Sequence, residues 1–211
     1  MGKNTKKGKM LRAVRPSLDG EHDLDLWSGV RPAEKKCRYN KLPGKAEGRR
    51  SRQSEFSVLM CTKQAMKRYF GVLEKPFKNC YKLAAKRQGS TADNLLLLLE
   101  SRLDNVVYRS GFASTRAEAK QIVSHGHVIV NGRRTTVSSY KVKQGDIISL
   151  SKAAQKHERI ASALSIAKQK DPATWLDVDP SEFKAVVSGE PTLDQLYTLF
   201  KVNHVIELYS K

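Results

Sequence analysis

Residues 102–150 decide the fold of this chain: RLDNVVYRSGFASTRAEAKQIVSHGHVIVNGRRTTVSSYKVKQGDIISL. Apolar residues recur at helical spacing from Leu96 to Val107, which predicts a helix with one buried face. Arg102 and Arg109 lie two turns apart on another face of the same helix. We therefore expect an apolar stripe that is buried and a basic stripe that is exposed.

A second helix is predicted after a short loop. Gly111 should end the first helix, because glycine readily adopts the left-handed conformation of a C-terminal cap. Thr115 and Glu118 have the spacing of a capping box, in which a hydroxyl and a carboxylate satisfy two amide groups at a helix start. Arg116 and Lys120 are one turn apart on the flank of this helix. The two helices are expected to pack together and to leave their cations outside.

A small sheet is predicted after the helices. Residues 128–130 and 133–137 flank Asn131-Gly132, a strong hairpin signal because both central residues of a type I′ turn need a positive φ. A second turn at Gln144-Gly145-Asp146 precedes the β-branched pair Ile147-Ile148. The stretch thus predicts an α+β fold, in which a helix pair packs on a short and mainly antiparallel sheet.

The same stretch contains several motifs in a defined order. They are Arg-Leu-Asp at 102–104, Thr-Arg-Ala-Glu-Ala at 115–119, Ser-His-Gly-His-Val at 124–128, Val-Asn-Gly at 130–132 and Gly-Asp-Ile at 145–147. In this order they resemble the S-four RNA-binding module. That module also occurs in pseudouridine synthases, a tyrosyl-tRNA synthetase and a heat-shock ribosome-binding protein. The resemblance therefore implies RNA binding, and the flanking sequence must indicate the task.

The chain carries a large positive charge. Its 211 residues include 39 Lys and Arg against 21 Asp and Glu, a formal net charge of +18. Such an excess indicates a polyanionic partner, and nucleic acid is the first candidate because basic residues release counterions from phosphates. An anionic membrane surface is the second candidate, but the apolar run at 95–99 is too short to span a bilayer. We expect a nucleic acid, and no membrane, as the partner.

Cysteine usage predicts neither a disulfide framework nor a metal site. Cys37, Cys61 and Cys80 are odd in number and widely spaced, which favours reduced thiols in a cytoplasmic protein. His125 and His127 do not complete a zinc-binding pattern. The basic start of the chain has no apolar region after it, so no signal peptide is predicted. No cofactor, no metal and no homo-oligomer are expected.

Composition divides the chain into three parts. Residues 1–52 form a basic, partly extended segment with fifteen basic and six acidic residues. Residues 53–99 form a helical domain, which the C-terminal segment 184–211 completes, and residues 100–183 form the RNA-binding domain with its following helix. Pro76 is predicted to break the helical pattern of the helical domain. The apolar end of the chain is expected to dock on the helical region, since an exposed one would be a liability.

Further motifs lie on both sides of the module. They are Ser-Gly-Val-Arg at 28–31, Lys-Cys at 36–37, Pro-Gly at 43–44, Tyr-Phe-Gly-Val-Leu-Glu at 69–74 and Glu-Leu-Tyr-Ser-Lys at 207–211. With the module, they resemble the bacterial ribosomal protein S-four family over most of the chain. The resemblance implies a protein that binds a junction in the 5′ domain of small-subunit ribosomal RNA early in assembly. It also implies contact with the fifth small-subunit protein, a place along the channel by which messenger RNA enters, and an influence on decoding accuracy.

The resemblance also implies which residues contact RNA. In the module they are Arg102, Arg109, Arg116, Lys120, His125, Asn131 and Arg133, and in the basic cluster that the family places where the messenger enters they are Arg49, Arg50 and Arg52. Asp104 would be catalytic only in a pseudouridine synthase, and no second domain of catalytic size remains, so no enzyme is expected. The alternative function is that of a free RNA-binding chaperone or regulator, as a diverged paralogue.

Overall fold

The computed structural model describes residues 54–167 and 173–210, and it confirms the α+β fold. Contacts divide the chain into two compact units. We call the described residues 54–77 and 195–210 the helical unit, and the described residues between 78 and 194 the sheet unit. These divisions differ from the predicted boundaries after residues 99 and 183. One reason is that the strand at 184–187 is hydrogen-bonded into the sheet.

Helices precede, connect and follow the strands. The helices are α1 (Glu55–Tyr69), α2 (Glu74–Lys86), α3 (Thr91–Glu100), α4 (Leu103–Arg109), α5 (Arg116–Ser124), α6 (Lys152–Gln155), α7 (Glu158–Ala167), α8 (Asp194–Leu199) and α9 (Val202–Ser210). The strands are β1 (Val128–Val130), β2 (Arg133–Thr135), β3 (Ile147–Leu150), β4 (Leu176–Asp179) and β5 (Lys184–Val187).

The break after α1 lies at Gly71. Ser54 begins α1, because its hydroxyl accepts a hydrogen bond from the backbone N–H of Ser57 at 3.3 Å. Gly71 has a φ of +62°, a left-handed conformation that ends the helix. The prediction that Pro76 breaks the pattern is wrong. Pro76 lies in the first turn of α2, where backbone N–H groups have no partner within the helix and proline is tolerated.

The apolar C-terminal helix packs on α1, as predicted. Tyr209 on α9 donates a hydrogen bond to Glu74 Oε1 at 2.8 Å. The same carboxylate pairs with Lys63 at 2.7 Å and with Lys67 at 2.9 Å. Burial raises the pKa of Glu74, but the hydrogen bonds from these lysines and from Tyr209 outweigh it and lower the pKa to about 2. A partly exposed network of ion pairs and a hydrogen bond therefore joins the C-terminal helix to the start of α2.

The predicted first helix of the module is two helices. Ser101 and Arg102 separate α3 from α4, and Arg102 has an extended backbone with a ψ of 138°. The segment before β3 bonds to this break, since Leu103 N–H donates to the Tyr140 carbonyl and Val142 N–H donates to the Ser101 carbonyl, both at 2.9 Å. Tertiary hydrogen bonds here replace those of a continuous helix.

Helices α4 and α5 pack together, as predicted. Gly111 has the expected left-handed φ, +78°, and Thr115 Oγ1 accepts a hydrogen bond from Glu118 N–H at 3.2 Å. The Glu118 carboxylate differs from the prediction. It accepts hydrogen bonds from the N–H and the hydroxyl of Ser114, at 2.9 and 2.6 Å, one residue before the expected partner. The start of α5 is therefore doubly capped.

The described strands form one antiparallel sheet in the order β2-β1-β3-β5-β4. The predicted turn is present, since Asn131 and Gly132 have φ values of +48° and +79°. The hairpin of β4 and β5 was not predicted. Helices α4 and α5 and the sheet bury their apolar faces in one core, which includes Leu103, Val106, Phe112, Val123, Val128, Ile148, Trp175 and Ala185. Across the described ranges, every helix is too short or too polar to cross a bilayer.

Candidate nucleic-acid interface

The acidic side chains of the module are engaged in internal hydrogen bonds. Between residues 100 and 146 the chain has four acidic and eight basic side chains. Each of the four carboxylates, those of Glu100, Asp104, Glu118 and Asp146, accepts at least one hydrogen bond from a neighbouring group. Arg102 and Arg109 compensate the charges of Asp104 and Glu100, and the six basic side chains that remain outnumber Glu118 and Asp146, so this region keeps a positive net charge.

Arg102 is one of the cations withdrawn from the surface. Its Nε and Nη2 atoms donate to the two carboxylate oxygens of Asp104, at 3.0 and 2.7 Å. The two side chains are 6% and 5% exposed. The prediction of an exposed basic stripe is therefore wrong for Arg102, because a bidentate pair with Asp104 holds its guanidinium in the interior. The same geometry gives Asp104 a structural role.

Arg109 is also paired. Its Nε and Nη2 donate to the carboxylate of Glu100 at 3.2 and 3.0 Å, and that carboxylate is 2% exposed. Asn105 donates to the same carboxylate at 2.5 Å and to the Glu100 carbonyl at 3.1 Å. Arg109 retains an exposed fraction of 19%. It therefore compensates a buried charge and shows little of its own to solvent.

Arg116 lies at the edge of this network. Its Nε donates to Asn105 Oδ1 at 2.8 Å, and its guanidinium lies over the ring of Tyr108, 4.4 Å from the centroid. A cation over an aromatic ring is attracted by the ring's negative face. The half-buried side chain is therefore held in a fixed orientation at the start of α5.

Lys141 is a further cation that points inward. Its amino group donates a hydrogen bond to the Leu98 carbonyl. Burial lowers the pKa of Lys141, because the charged amine loses part of its hydration. This lysine therefore fastens the loop before β3 to α3.

Asn131 connects two turns of the sheet. Its amide nitrogen donates to Asp146 Oδ1 at 2.8 Å, and its amide oxygen accepts from Ile147 N–H at 2.8 Å. Asp146 also accepts from the backbone N–H of Lys143, at 2.8 Å. Both ends of the predicted contact residue Asn131 are thus used to fix the turns.

The exposed basic side chains of the module lie on α5 and at its end, on the edge strand β2 and in the turn before β3. We call Lys120, His125, Arg133, Arg134 and Lys143 the basic group; all five side chains are exposed. Arg134 Nη2 donates to the His125 carbonyl at 3.1 Å, which brings β2 beside the end of α5. Lys143 adjoins the hairpin through the network of Asn131. The structure thus leaves three predicted residues exposed, Lys120, His125 and Arg133. It adds Arg134, which it places beside His125, and Lys143, neither of which was predicted.

Gly126 allows the close approach of Arg134. A side-chain carbon at Gly126 would lie 2.3 Å from Arg134 Nε, and Gly126 has a φ of +72°. The sequence offered a signal for Arg134, since it adjoins Arg133 on a strand after a strong turn. It offered no signal for the contact between Arg134 and the His125 carbonyl, because that contact depends on how β2 packs beside the end of α5. Arg49, Arg50 and Arg52 lie outside the described residues, so their predicted role stays a prediction.

Comparison with known proteins gives matches over nearly the whole chain. Residues 3–100 match the family model "Ribosomal protein S4/S9 N-terminal domain", and residues 101–148 match the model "S4 domain". The chain is 49% identical to the small ribosomal subunit protein uS4 of Dichelobacter nodosus and to that of Coxiella burnetii, over 90% of this chain and 92% of each relative. It is 47% identical, with the same coverage, to that of Legionella pneumophila.

Proposed function

The chain belongs to the small ribosomal subunit protein uS4 family, and from this premise we propose that it is a structural constituent of the small ribosomal subunit. In this proposal it binds small-subunit ribosomal RNA directly, at a junction in the 5′ domain, and nucleates assembly of the subunit. Its place is then the ribosome in the cytoplasm. The role is one of binding, with no catalytic step.

The observation that carries the proposal is the segregation of charge in the module. Arg102 and Arg109 pair with buried carboxylates, whereas the basic group stays exposed on α5, on β2 and in the turn before β3. Exposed cations on rigid elements can be matched to phosphates of a folded RNA without the entropic cost of ordering long loops. Shape and charge, rather than base sequence, would then govern binding to paired regions.

Finer roles follow from the same proposal. Arg49, Arg50 and Arg52 would face messenger RNA where it enters, and the protein would influence decoding accuracy from that position. The fifth small-subunit protein would be its neighbour. These roles are supported by family membership and by the sequence motifs of the first 52 residues.

Sucrose-gradient fractionation of cell lysate tests the main proposal. We expect the chain to co-migrate with small subunits and with whole ribosomes, at about one copy per subunit, and to remain there at moderate salt. A small subunit from which this chain has been removed should bind the purified chain again in a reconstitution assay.

The alternative is a free RNA-binding chaperone or regulator, a role in which the module would act on RNA without joining the assembled subunit. A chain found only in light fractions, or only on free large subunits, would favour that alternative and refute the structural role.

A further inference from the structure

A cleft opens between the end of α5, the start of β1 and the start of α7. Its volume is about 280 Å³, close to the lower end of small-molecule sites, which is roughly 300 Å³. The imidazole rings of His125, His127 and His157 line it, together with the apolar side chains of Ile122 and Ile160. Three imidazoles on an aliphatic floor form a surface that suits a flat, partly apolar ligand.

The three rings are close neighbours. The His127 and His157 ring centroids are 5.6 Å apart with planes at 72°, and those of His125 and His127 are 6.1 Å apart with planes at 58°. His157 comes from the short connection between α6 and α7, so the group joins residues 30 positions apart in sequence. Among the described residues, no cluster of three or more histidine, cysteine or acidic side chains is arranged to hold a metal ion.

The backbone at each ring is fixed by hydrogen bonds. His125 N–H donates to the Gln121 carbonyl at 2.9 Å, His127 N–H to the Ile122 carbonyl at 3.1 Å, and His157 N–H to the Ala154 carbonyl at 2.9 Å. The backbone of the cleft is therefore preorganised, and a ligand would have to order only the side chains.

Around the cleft, the guanidinium groups of Arg159 and Arg134 outnumber the single carboxylate, that of Glu118. Arg159 lines the cleft, and Arg134 lies close enough to act on His127 electrostatically. Burial lowers the pKa of His127, and the neighbouring His157, His125 and Arg134 lower it further. A neutral imidazole offers one donor, one acceptor and a flat face. Glu118 also lines the cleft, but Ser114 donates two hydrogen bonds to its carboxylate.

We propose that this cleft binds one unpaired nucleotide of the RNA, with its base against the imidazole rings and its phosphate near Arg159. The inference rests on the proposed function and names the contact that this part of the protein makes. Unstacked bases of single-stranded RNA commonly stack on aromatic side chains, histidine included. The amide of Gln121, which lines the same cleft, can donate to and accept from the edge of a base.

Substitution at the exposed His157 tests the base contact. We expect His157→Ala to weaken binding of the full chain to transcribed small-subunit ribosomal RNA on the order of tenfold, since a stacked base contributes this much. His157→Phe retains a flat ring and should bind within about twofold of the unchanged protein. Neither variant should alter the dependence of affinity on salt, because no phosphate contact is removed. Circular dichroism checks that both variants fold.

Two results would overturn the proposal. Wild-type affinity in both variants would mean that the cleft is empty in the complex. Equal losses in Ala and Phe variants, with a salt slope smaller by about 0.7 to 0.9, would mean that the cleft contacts a phosphate alone.

A second measurement separates the cleft from the proposed function. Histidine resonances of the full chain are followed by NMR during titration with adenosine monophosphate, and in parallel with inorganic phosphate. We expect the His127 and His157 signals to move with the nucleotide and to move much less with phosphate. Equal shifts with both would refute a base site. Failure of the unchanged protein to bind ribosomal RNA would instead refute the proposed function, and the nucleotide titration would still decide for the cleft.

Discussion

Arg102 and Arg133 should separate stability from RNA binding. Both were predicted as RNA contacts, but the structure buries Arg102 against Asp104 and leaves Arg133 exposed on β2. Arg102→Ala would leave the Asp104 carboxylate buried without its partner, and breaking such a pair typically costs about 3 to 5 kcal/mol. We therefore expect a large fall in the free energy of unfolding, measured by urea titration, and an unchanged salt dependence of RNA binding in the protein that stays folded.

Arg133→Ala should have the opposite signature. Its exposed side chain can be removed at a stability cost within about 0.5 kcal/mol. Loss of one phosphate contact should reduce the slope of log affinity against log salt by about 0.7 to 0.9, which corresponds to roughly fivefold weaker binding near 0.15 M salt. Filter binding of small-subunit ribosomal RNA at several salt concentrations measures both quantities.

A paired replacement serves as the control for Arg102. The double variant Arg102→Met with Asp104→Leu removes both charges and keeps the volume, so most of the lost stability should return. If Arg102→Ala were as stable as the unchanged protein and reduced the salt slope as Arg133→Ala does, Arg102 would be a phosphate ligand. That result would refute a structural role for Arg102.

Two further predictions concern stability. Gly111 and Gly132 have nearly the same φ, +78° and +79°, but an added Cβ would lie 2.4 Å from Ala167 Cβ at Gly111 and would meet no atom within 4 Å at Gly132. Gly132→Ala should thus lower the unfolding free energy by about 1 to 2 kcal/mol, the cost of the left-handed backbone alone. Gly111→Ala should lower it by about 1 to 3 kcal/mol beyond that, because the added carbon also clashes. Equal urea midpoints for the two variants would contradict this prediction. Glu74 has its pKa lowered from 4.5 to about 2, so its stabilisation is complete above pH 4.5 and is lost as the pH falls towards 2. Because this side chain is 43% exposed, Glu74→Gln should lower the unfolding free energy by only about 1 kcal/mol at pH 7. The difference in unfolding free energy between the variant and the unchanged protein should be smaller at pH 3. A difference that stays constant with pH would argue against the ion pairs.

Local patterns predicted the elements of the module well. The turn at Asn131-Gly132 and the cap at Thr115 depend on backbone conformation and on neighbours within three residues, so the sequence specifies them directly. The hairpin of β4 and β5 had no such signal. Its strands have four residues each, and the residue before β5, Phe183, has a positive φ of +51° that no propensity would suggest.

The sequence predicted only part of the candidate site, and the reason is physical. A helical pattern shows which residues share a face, but it does not show which cations meet an acid from another segment. Arg109 forms an ion pair with Glu100 across the break between α3 and α4. Asn131 donates a hydrogen bond to Asp146, which lies in a different turn of the sheet. The number of basic residues in the sequence therefore overestimates the number of exposed cations that an RNA can contact.

The two uses of charge in the module depend on each other. Arg102 and Arg109 compensate buried carboxylates beside the break between α3 and α4, and α4 packs against α5. Lys120 lies on α5, which packs on α4, and Arg133 lies on β2, which pairs with β1, so both cations are carried by ordered elements of this unit. A cation on a rigid element loses less conformational entropy when it meets a phosphate than one on a mobile tail. Weakening an internal pair should thus lower RNA affinity indirectly, through the position of the exposed cations, without changing the number of phosphates contacted.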